Sequence, residues 1–546
     1  MEHLSKFSIN GFRLALALLL LNSALTFHNR WPTMDVRWAP GLSLDLVVLL
    51  LALAVVWRKP LDRWGRGLLL SGVTLLTLGR YMDVTAPALM GRSIHLYWDS
   101  QYLPQVAAMF VDNVAGWQLV FSGVALLILC GALVTVLRWA LFTVMAAMGR
   151  PVERRVLGAL AVGLLTLYGA GRLSARLPTE HWFALPVAPV FIEQIRLALS
   201  ATLFRNPGWI IAQSPLPALH WTGETPSDVF VIFFESYGAL AFDDHRFAGP
   251  LAGEFAALEQ SLKQAGWSAV SARVESSTFG GGSWLAHASL LSGLRIADQG
   301  DYRDLLVSDR QTVVRRFADA GYRTVAVMPG LRYAWPEGQF YEFTAIYNAE
   351  RLDYRGPAYG WWVIPDQYSL YRIHHAELNQ MPRLPLFVFF PTINSHAPFM
   401  PLPPYQPDWR HFAALDGRNT AFQAVEMNER LDGAALAAAY IESIRYNLAV
   451  LGGYLRQYAP TSALLLVLGD HQPPAIVGGR EIPWQVPVHV FSRDPAVLER
   501  WVAVGFRPGI IPGSTVLGGI ERIGLLLLEL GQHSLPPQPS DIHNEG

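Results

Sequence analysis

Cysteine and charged side chains are both scarce in this sequence. Cys130 is the only cysteine among 546 residues, so disulfides are excluded, and so are thiol catalysis and cysteine metal sites outside the membrane. Asp, Glu, Lys and Arg together make up 16% of the chain, against 52% for hydrophobic residues. The formal net charge of −1 shows no basic excess, which argues against a nucleic-acid partner. So apolar a composition indicates membrane segments joined to a globular part.

The apolar excess is concentrated near the N-terminus, where five stretches are predicted to span a membrane. They cover residues 9–27, 41–57, 66–82, 117–145 and 155–174, and Cys130 lies within the fourth. No small-residue cleavage site follows the first stretch, and further spans come after it, so we expect no cleavable signal peptide.

Basic residues gather in alternate loops between these stretches. They are Lys6 and Arg13 at the first span, then Arg58, Lys59, Arg63 and Arg66, then Arg150, Arg154 and Arg155. The positive-inside rule therefore predicts a multi-pass protein of the cytoplasmic (inner) membrane with a cytoplasmic N-terminus. After five crossings the large C-terminal part is predicted to be periplasmic or extracellular.

Four regions are predicted along the chain. Residues 1–175 form a transmembrane domain, and 176–226 a juxtamembrane linker with an amphipathic helix at Val190–Leu203. Residues 227–530 alternate strands and helices, which is typical of a mostly parallel central sheet flanked by helices. The tail, 531–546, lacks apolar periodicity and is expected to be disordered.

The loop at about 83–116 contains Arg92, Tyr97 and Trp98. Tyrosine and tryptophan at a bilayer surface commonly serve as anchors. The alternative is that Arg92 helps to cradle a lipid headgroup. The sequence leaves both interpretations open.

Two distant apolar runs end in metal-ligand side chains. The run Val229–Phe234 ends at Glu235, and the run 463–469 is followed by Asp470 and His471. Open α/β sheets build their sites at the carboxyl ends of strands, and a carboxylate that ends a buried strand is costly unless it is paired or metal-bound. Oxygen and imidazole ligands suit Zn²⁺ or Mn²⁺ better than Mg²⁺. We therefore predict one divalent ion held by Glu235, Asp470 and His471.

Ser283 follows three glycines, 280–282, at the start of a predicted helix. Glycine lets the backbone approach an anion closely, and the first amides of a helix stabilise phosphate oxygens. A hydroxyl becomes a good nucleophile when a neighbouring metal lowers its pKa. Ser283 is therefore the predicted nucleophile and a fourth metal ligand. The alternative is a serine that caps a helix after a flexible loop.

Two histidines are further candidates for catalysis. His287 lies one helical turn after Ser283, so both side chains are on one face of the helix. His396 follows the predicted strand at 385–391 and again stands near a strand's carboxyl end. We expect His396 to contact phosphate or to protonate a leaving group.

With these residues in place, the chain resembles the alkaline-phosphatase and sulfatase superfamily. Within it the chain is similar to membrane-anchored lipoteichoic acid synthases, phosphoethanolamine transferases and phosphoglycerol transferases. The segment Ser283–Gly293 fits the sulfatase signature Cys-x-Pro-Ser-Arg-x-x-Leu-Leu-Thr-Gly in register. The resemblance gives Ser283 the place of the nucleophile and His287 that of the arginine, and it implies a sulfatase-like α/β domain.

The resemblance also implies roles for other residues. The family's ligands, a Glu that ends the first strand, the nucleophile and an Asp-His pair, look like Glu235, Ser283, Asp470 and His471, and its later histidine looks like His396. The segment 359–366 is similar to one that lines the headgroup pocket in lipoteichoic acid synthases. It contains the predicted substrate-binding residues Trp361, Trp362 and Asp366.

The signature's Pro and Arg are missing here, which tells against formylglycine and sulfate-ester hydrolysis. The resemblance therefore implies a transferase that moves a phosphoglycerol or phosphoethanolamine group from a membrane phospholipid to a glycan or lipid-linked acceptor. A phosphatase or phosphodiesterase, or a catalytically inactive lipid-binding member, are the alternatives.

Overall fold

The structure is a computed structural model that describes most of the chain. It covers residues 2–30, 34–57, 60–90, 93–104, 107–108, 111, 114–173, 182–203, 208–211, 213–219, 227–332, 335–359, 364–414, 433–479 and 482–530. Arg92, Trp361, Trp362 and the tail 531–546 lie outside the described residues, so the predictions made for them stay predictions. The chain divides into two units, Met1–Arg205 and Asn206–Gly546.

The first unit is helical. Its main helices are α1 (Glu2–Thr26), α2 (Leu44–Val56), α3 (Arg63–Met90), α4 (Gly116–Met148), α5 (Pro151–Leu173) and α6 (Ala188–Leu203). Short turns of helix cover Leu96–Asp99 and Ser100–Tyr102, and two-residue bridges pair His28–Asn29 with Val36–Arg37 and Leu42–Ser43 with Phe183–Ala184.

Two of the described helices, α4 and α5, are long and apolar enough to cross a membrane. They coincide with the fourth and fifth predicted spans. The apolar helices at Asn10–Thr26 and Leu44–Val56 coincide with the first two but are shorter. The third predicted span lies in α3, where Arg80 is buried inside the unit and donates to the Phe27 carbonyl at 2.9 Å. A membrane domain of five helices is therefore not confirmed.

Helix α6 covers the place where the sequence predicts an amphipathic helix, and it is tied into the first unit. The carboxylate of Asp45 accepts hydrogen bonds from the backbone N–H of Val187, at 2.7 Å, and from the first residue of α6, at 3.1 Å. Farther along α6, Gln194 accepts from the Leu96 N–H and donates to the Ile94 carbonyl, both at 2.8 Å. These bonds fix the helix against α2 and against the loop that precedes α4.

The second unit is built on one large sheet. Its strands are β1 (Val229–Phe234), β2 (Ser268–Glu275), β3 (Arg323–Val327), β4 (Ala345–Tyr347), β5 (Leu386–Pro391), β6 (Leu464–Gly469), β7 (Gln485–Ser492), β8 (Arg507–Pro508) and β9 (Val516–Gly519). The order across the sheet is β8-β2-β7-β6-β1-β5-β3-β4, and β9 also pairs with β2.

The sheet is mixed. Strands β6, β1, β5, β3 and β4 run parallel to one another, as the sequence predicts. On the other side of β6, strand β7 is antiparallel to both of its neighbours, and β8 is antiparallel to β2. The prediction of a mostly parallel sheet therefore holds for five of the eight described strand pairings, including β9 with β2, and the antiparallel pairings are those made by β7 and by the short strand β8. Strand direction depends on the path of the connections, and an apolar run does not record it.

Helices cover both faces of the sheet. They are α7 (His245–Gln264), α8 (Ser283–Ser292), α9 (Gln299–Leu306), α10 (Val313–Asp319), α11 (Asp366–Ile373), α12 (Gly433–Gln457), α13 (Pro495–Ala503) and α14 (Glu521–Leu530). Single turns lie at Gly208–Ile211, Leu240–Asp243, Gly338–Tyr341, Ala349–Leu352, His374–Leu378, Trp409–Ala414 and Ala475–Gly478.

Strand β1 shows why its sequence is an unbroken apolar run. Its even-numbered residues, Phe230, Ile232 and Phe234, pack under α7 and α12, while its odd-numbered residues pack under α8 and α10. Successive side chains of a strand point to opposite faces, so a strand covered on both faces needs apolar residues at every position. This burial holds the ends of the central strands in place.

A buried histidine lies on the antiparallel side of the sheet. The Ser271 hydroxyl donates to the Gly509 carbonyl at 2.7 Å, so it accepts from Nδ1 of His489 at 2.8 Å. Nε2 of His489 therefore accepts from the Tyr237 hydroxyl at 3.1 Å. Burial lowers the pKa of His489 from 6.5 to about 3. The folded state consequently holds this imidazole neutral.

We predict that His489 makes the second unit sensitive to acid. Because the pKa of His489 is lower in the folded state, the stability that depends on a neutral imidazole is complete above pH 6.5. It is lost as the pH falls toward 3. Between pH 6.5 and 4.5 the free energy of unfolding should fall by about 2 to 3 kcal/mol because of His489. His489→Gln should remove this part of the pH dependence. Urea unfolding of residues 206–546 across this range measures it. His245→Gln, at a side chain that is 96% exposed, is the control, and equal slopes in wild type and His489→Gln would contradict the prediction.

Candidate metal centre and nucleophile

The two predicted ligand segments meet at one edge of the sheet. Strands β1 and β6 are parallel neighbours, with Phe234 opposite Gly469. The next residues, Glu235 and Asp470, therefore leave the two strands side by side, about 4.8 Å apart along the hydrogen-bonding direction. His471 follows Asp470, and the three residues are buried.

The side chains of Glu235, Asp470 and His471 converge. Their ligand atoms all lie within 4.8 Å of one another. Nε2 of His471 is 3.4 Å from Oε1 of Glu235 and 3.5 Å from Oδ2 of Asp470. The structure thus brings together the three residues that the sequence predicts as ligands.

Backbone groups orient these ligands. Oδ1 of Asp470 accepts hydrogen bonds from the N–H groups of Ser236, at 2.8 Å, and of His471, at 2.7 Å. Oδ2 of Asp470 is buried and accepts no hydrogen bond from any described residue. Nδ1 of His471 donates to the Gln472 carbonyl at 2.7 Å. This bond fixes the tautomer in which Nε2 carries the lone pair that a metal needs.

Ser283 is the first residue of α8. The three glycines before it have positive φ, and Gly282 adopts the left-handed conformation with a φ of +76°. This turn brings the Ser283 hydroxyl to the ligands. Its Oγ lies 3.0 Å from Oε2 of Glu235 and 3.1 Å from Nε2 of His471.

The local charges shift two pKa values in the cluster. Burial raises the pKa of Asp470 from 3.8 to about 6, and the neighbouring Glu235 carboxylate adds to the rise. Burial alone would lower the pKa of His471, but the Asp470 and Glu235 carboxylates outweigh it and raise that pKa. Two carboxylates are therefore held together at a cost that a cation would relieve.

The residues present fit a divalent metal ion. Ligand atoms placed tetrahedrally at about 2.1 Å from an ion lie roughly 3.4 Å from one another. The contacts of Ser283 with Glu235 and His471, and of His471 with Glu235 and Asp470, are of that size at 3.0 to 3.5 Å, through one or the other Glu235 oxygen. The buried, unbonded Oδ2 of Asp470 lacks the partner that an ion would supply. Two carboxylates, an imidazole and a hydroxyl form a donor set that suits Zn²⁺ or Mn²⁺.

His287 lies between aromatic rings. Its imidazole packs edge-on against Phe233, with ring centroids 4.5 Å apart, and against Phe389 at 5.5 Å. Its Nε2 is buried and makes no hydrogen bond to a described residue. Burial lowers the pKa of His287 to about 4. The side chain is therefore neutral at neutral pH, unlike the arginine whose place the resemblance gives it.

His396 lies in the segment after β5, and Asp366 is the first residue of α11, which precedes β5 in the chain. Nδ1 of His396 donates to the Ala397 carbonyl at 2.7 Å, and burial lowers the pKa of His396. Asp366 is buried, and its two carboxylate oxygens accept from the N–H groups of Ile393 at 2.9 Å and Asn394 at 2.8 Å. Burial raises the pKa of Asp366 to about 7. Asp366 thus fixes the loop that carries His396, while its predicted contact with substrate stays a prediction.

Several residues that hold Glu235 in place were not predicted from the sequence. The Ser236 hydroxyl donates to Oε1 of Glu235 at 3.1 Å, and the Ser395 hydroxyl donates to the Glu235 carbonyl at 2.6 Å. Asn447, on α12, donates to the Ser395 hydroxyl at 2.8 Å. Ser236 directly follows a predicted ligand, which is a signal that could have marked it. Asn447 lies 212 positions farther along the chain from Glu235, and no local pattern could have found it.

Gly469 is the last residue of β6 and lies against the backbone of Tyr237. We predict that Gly469→Ala disturbs the candidate metal centre. An added Cβ would lie 1.8 Å from the Tyr237 carbonyl oxygen, so the strand end that carries Asp470 must shift. The expected cost is about 1 to 3 kcal/mol of unfolding free energy, with weaker metal binding. Urea unfolding and elemental analysis measure the two effects. Gly253→Ala is the matched control, because nothing lies within 4 Å of the new Cβ on α7; equal behaviour of the two variants would contradict the prediction.

Asp470→Asn should affect metal binding and stability in opposite directions. The amide oxygen can still accept the two backbone hydrogen bonds at Oδ1, but the negative charge beside Glu235 is gone. Because the pKa of Asp470 is raised, ionised Asp470 destabilises the metal-free fold above pH 6. We expect the metal-free variant to gain about 1 to 3 kcal/mol at pH 7.5 and to lose bound metal. Unfolding in a chelator and elemental analysis test both, and a variant that keeps a full metal complement would refute the ligand assignment.

No protein-family model matches the chain, and no curated protein sequence matches it. Solved structures do match. The integral membrane protein lipooligosaccharide phosphoethanolamine transferase A (EptA) from Neisseria meningitidis is 12% identical, with a TM-score of 0.48 over 90% of this chain and 88% of that chain. The lipoteichoic acid synthase LtaP from Listeria monocytogenes is 11% identical, with a TM-score of 0.38 over 60% of this chain and 78% of that chain.

A third match is the phosphoglycerol transferase GacH from Streptococcus pyogenes, in complex with sn-glycerol-1-phosphate. It is 12% identical, with a TM-score of 0.37 over 63% of this chain and 88% of that chain.

Proposed function

We propose that this protein is a metal-dependent transferase that moves a phosphoglycerol or phosphoethanolamine group from a membrane phospholipid to a glycan or lipid-linked acceptor. One observation carries the proposal. The hydroxyl of Ser283, at the start of a helix, lies within hydrogen-bonding distance of Glu235 and His471, which come from two neighbouring strands. This is the arrangement of a nucleophile beside a metal site.

In the first half-reaction Ser283 attacks the phosphorus of the phospholipid. The bond between Oγ and phosphorus forms, the bond from phosphorus to the diacylglycerol oxygen breaks, and the headgroup stays on the enzyme as a phosphoserine ester. The hydroxyl proton must leave before the attack. Oε2 of Glu235, at 3.0 Å, is the described acceptor within reach that would remain available beside a metal held through Nε2 of His471. The departing diacylglycerol oxygen takes up one proton and leaves as the alcohol, so the half-reaction balances.

Glu235, Ser283, Asp470 and His471 would hold a divalent ion, Zn²⁺ or Mn²⁺. Such an ion supplies Lewis-acid stabilisation of phosphate charge and lowers the pKa of the nucleophilic hydroxyl. The protein's own contribution to anion binding is the glycine turn and the N-terminus of α8, where the helix dipole favours negative charge. Both act on the same phosphoryl group.

In the second half-reaction the oxygen of an acceptor hydroxyl bonds to phosphorus, the bond from phosphorus to Oγ of Ser283 breaks, and Oγ regains a proton. Because the pKa of His396 is lowered and its Nδ1 proton is committed to the Ala397 carbonyl, its Nε2 is unprotonated at neutral pH. His396 is then suited to accept a proton from the incoming hydroxyl. Trp361, Trp362, Asp366 and Arg92 remain predicted contacts of the headgroup.

The first unit would anchor the enzyme where its lipid donor is found. Its two long apolar helices, α4 and α5, support a place in the membrane, and the distribution of basic residues favours a cytoplasmic N-terminus with residues 227–530 outside. The donor would then be drawn from the outer leaflet of the cytoplasmic membrane. A bound phospholipid and a saccharide acceptor are the partners that this placement requires.

The test is transfer of label from headgroup-labelled phosphatidylglycerol or phosphatidylethanolamine. Full-length protein in vesicles should carry label on Ser283 and pass it to an added glycan or lipid-linked saccharide. Ser283→Ala should lower turnover about a thousandfold or more, because no other group replaces the nucleophile. Ser283→Thr should keep activity, since it keeps the hydroxyl. Scintillation counting of protein, acceptor and free headgroup gives the three readouts.

Ser268→Ala, at an exposed serine on β2, is the control for loss of a hydroxyl. Label that appears only as free headgroup phosphate would show a phosphatase or phosphodiesterase instead of a transferase. Metal-loaded wild-type protein that releases no label and forms no phosphoserine would identify an inactive lipid-binding member. Near-normal turnover by Ser283→Ala would overturn the whole assignment.

A further inference from the structure

A cavity of about 510 Å³ opens in the first unit between α1 and α4. Asn10 and Arg13 of α1 line it, together with Arg138, Phe142 and Arg150 of α4 and the turn that follows it. Among the side chains that the structure describes, none of those lining the cavity is a carboxylate. It is therefore a concentration of positive charge within the most apolar part of the chain.

The lining residues of α4 form a single stripe. Thr135, Arg138, Phe142 and Ala146 recur every three or four residues, so they share one face of the helix, and Arg150 follows in the turn after α4. Arg138 stands ten residues before the last residue of α4, which places it about 15 Å from the helix end. An arginine at such a depth in an apolar helix is costly unless it faces a cavity or meets an anion.

The structure describes no internal anion that satisfies these arginines. Among the described residues neither Arg13 nor Arg138 pairs with a carboxylate, and the Arg138 guanidinium lies over the Phe142 ring at 5.5 Å. Arg66 approaches the same ring at 5.9 Å. Arg150 pairs with Glu153 at 2.8 Å, yet its Nε is buried without a hydrogen bond. Several guanidinium donors are thus left for a ligand.

The hydroxyls of the cavity cannot take over this task. Thr135 donates to the Gly131 carbonyl at 2.7 Å, and Thr143 donates to the Trp139 carbonyl at 2.8 Å. The remaining donors are charged guanidinium groups and the Asn10 amide. Planar guanidinium groups are well matched to the paired oxygens of a phosphate.

We propose that this cavity binds the headgroup of an anionic phospholipid through its phosphodiester. The acyl chains would lie along the continuation of the same face of α4, where Ile128, Val124 and Phe121 are exposed. The aromatic rings of Trp139 and Phe142 sit at the level of the headgroup. Basic pockets between membrane helices are suited to such lipids, and the predicted orientation assigns this one to the cytoplasmic leaflet. It would be a structural lipid site, separate from the donor site at Ser283.

Native mass spectrometry of the full-length protein in detergent tests the site. The Ser283→Ala background prevents turnover, so a lipid bound near the nucleophile is not consumed during the titration. Titration with phosphatidylglycerol should load a second lipid, whereas zwitterionic phosphatidylcholine should bind there at least about tenfold more weakly, because it lacks the net charge. Arg138→Gln and Arg13→Gln should each weaken the second phosphatidylglycerol about tenfold. Inorganic phosphate at about 10 mM keeps the ionic strength below the physiological value of about 0.15 M. At that concentration it should not displace the second phosphatidylglycerol.

Arg196→Gln is the matched control, because it removes one exposed arginine from α6, away from the cavity. Thermal unfolding without added lipid checks that each variant is folded. Three outcomes would each overturn the proposal. They are equal loading by phosphatidylcholine, unchanged loading in both Arg138→Gln and Arg13→Gln, and full displacement of the second lipid by phosphate. A second phosphatidylglycerol lost in both variants and kept in Arg196→Gln would support it.

Discussion

Two carboxylates buried side by side are the constraint on which the rest of the second unit depends. Glu235 and Asp470 leave adjacent parallel strands at the same level, and like charges so close in a buried place repel each other. The fold keeps them together with backbone donors to Asp470 and a serine hydroxyl to Glu235. What these neutral donors do not supply is positive charge. A cation or a proton bound at the site would relieve this repulsion.

The nucleophile is coupled to this pair through the backbone. The Gly280 N–H donates to the Gln472 carbonyl at 3.2 Å, and that same carbonyl accepts from Nδ1 of His471. The glycine turn and the histidine ligand thus share one acceptor. The Thr278 hydroxyl donates to the Gly281 carbonyl and steadies the turn. A shift of the histidine would consequently move the start of the serine helix, so the geometry of ligand and nucleophile is set together.

The sequence allowed the strands and the ligand cluster to be predicted, because both depend on local patterns. A strand buried on both faces reads as an unbroken apolar run, and a polar residue at its end is conspicuous, as at Glu235. The reversed direction of β7 could not be predicted this way, since β7 has the same apolar pattern in either direction. Asp366 shows a second limit. Its carboxylate binds backbone groups 27 and 28 residues away, and no spacing in the sequence reports such a pairing.

His287 bears on how the site handles charge. An arginine in its place would bring a permanent positive charge, whereas an imidazole packed against Phe233 and Phe389, with a pKa lowered to about 4, brings none at neutral pH. The described residues around Ser283 therefore offer dipoles and hydrogen bonds to a phosphate group. The side chain at position 287 adds no fixed positive charge. The balance of charge must come from elsewhere in the site. The repulsion between the two carboxylates is also what would draw a divalent cation to the centre, and that cation would supply the positive charge that His287 does not.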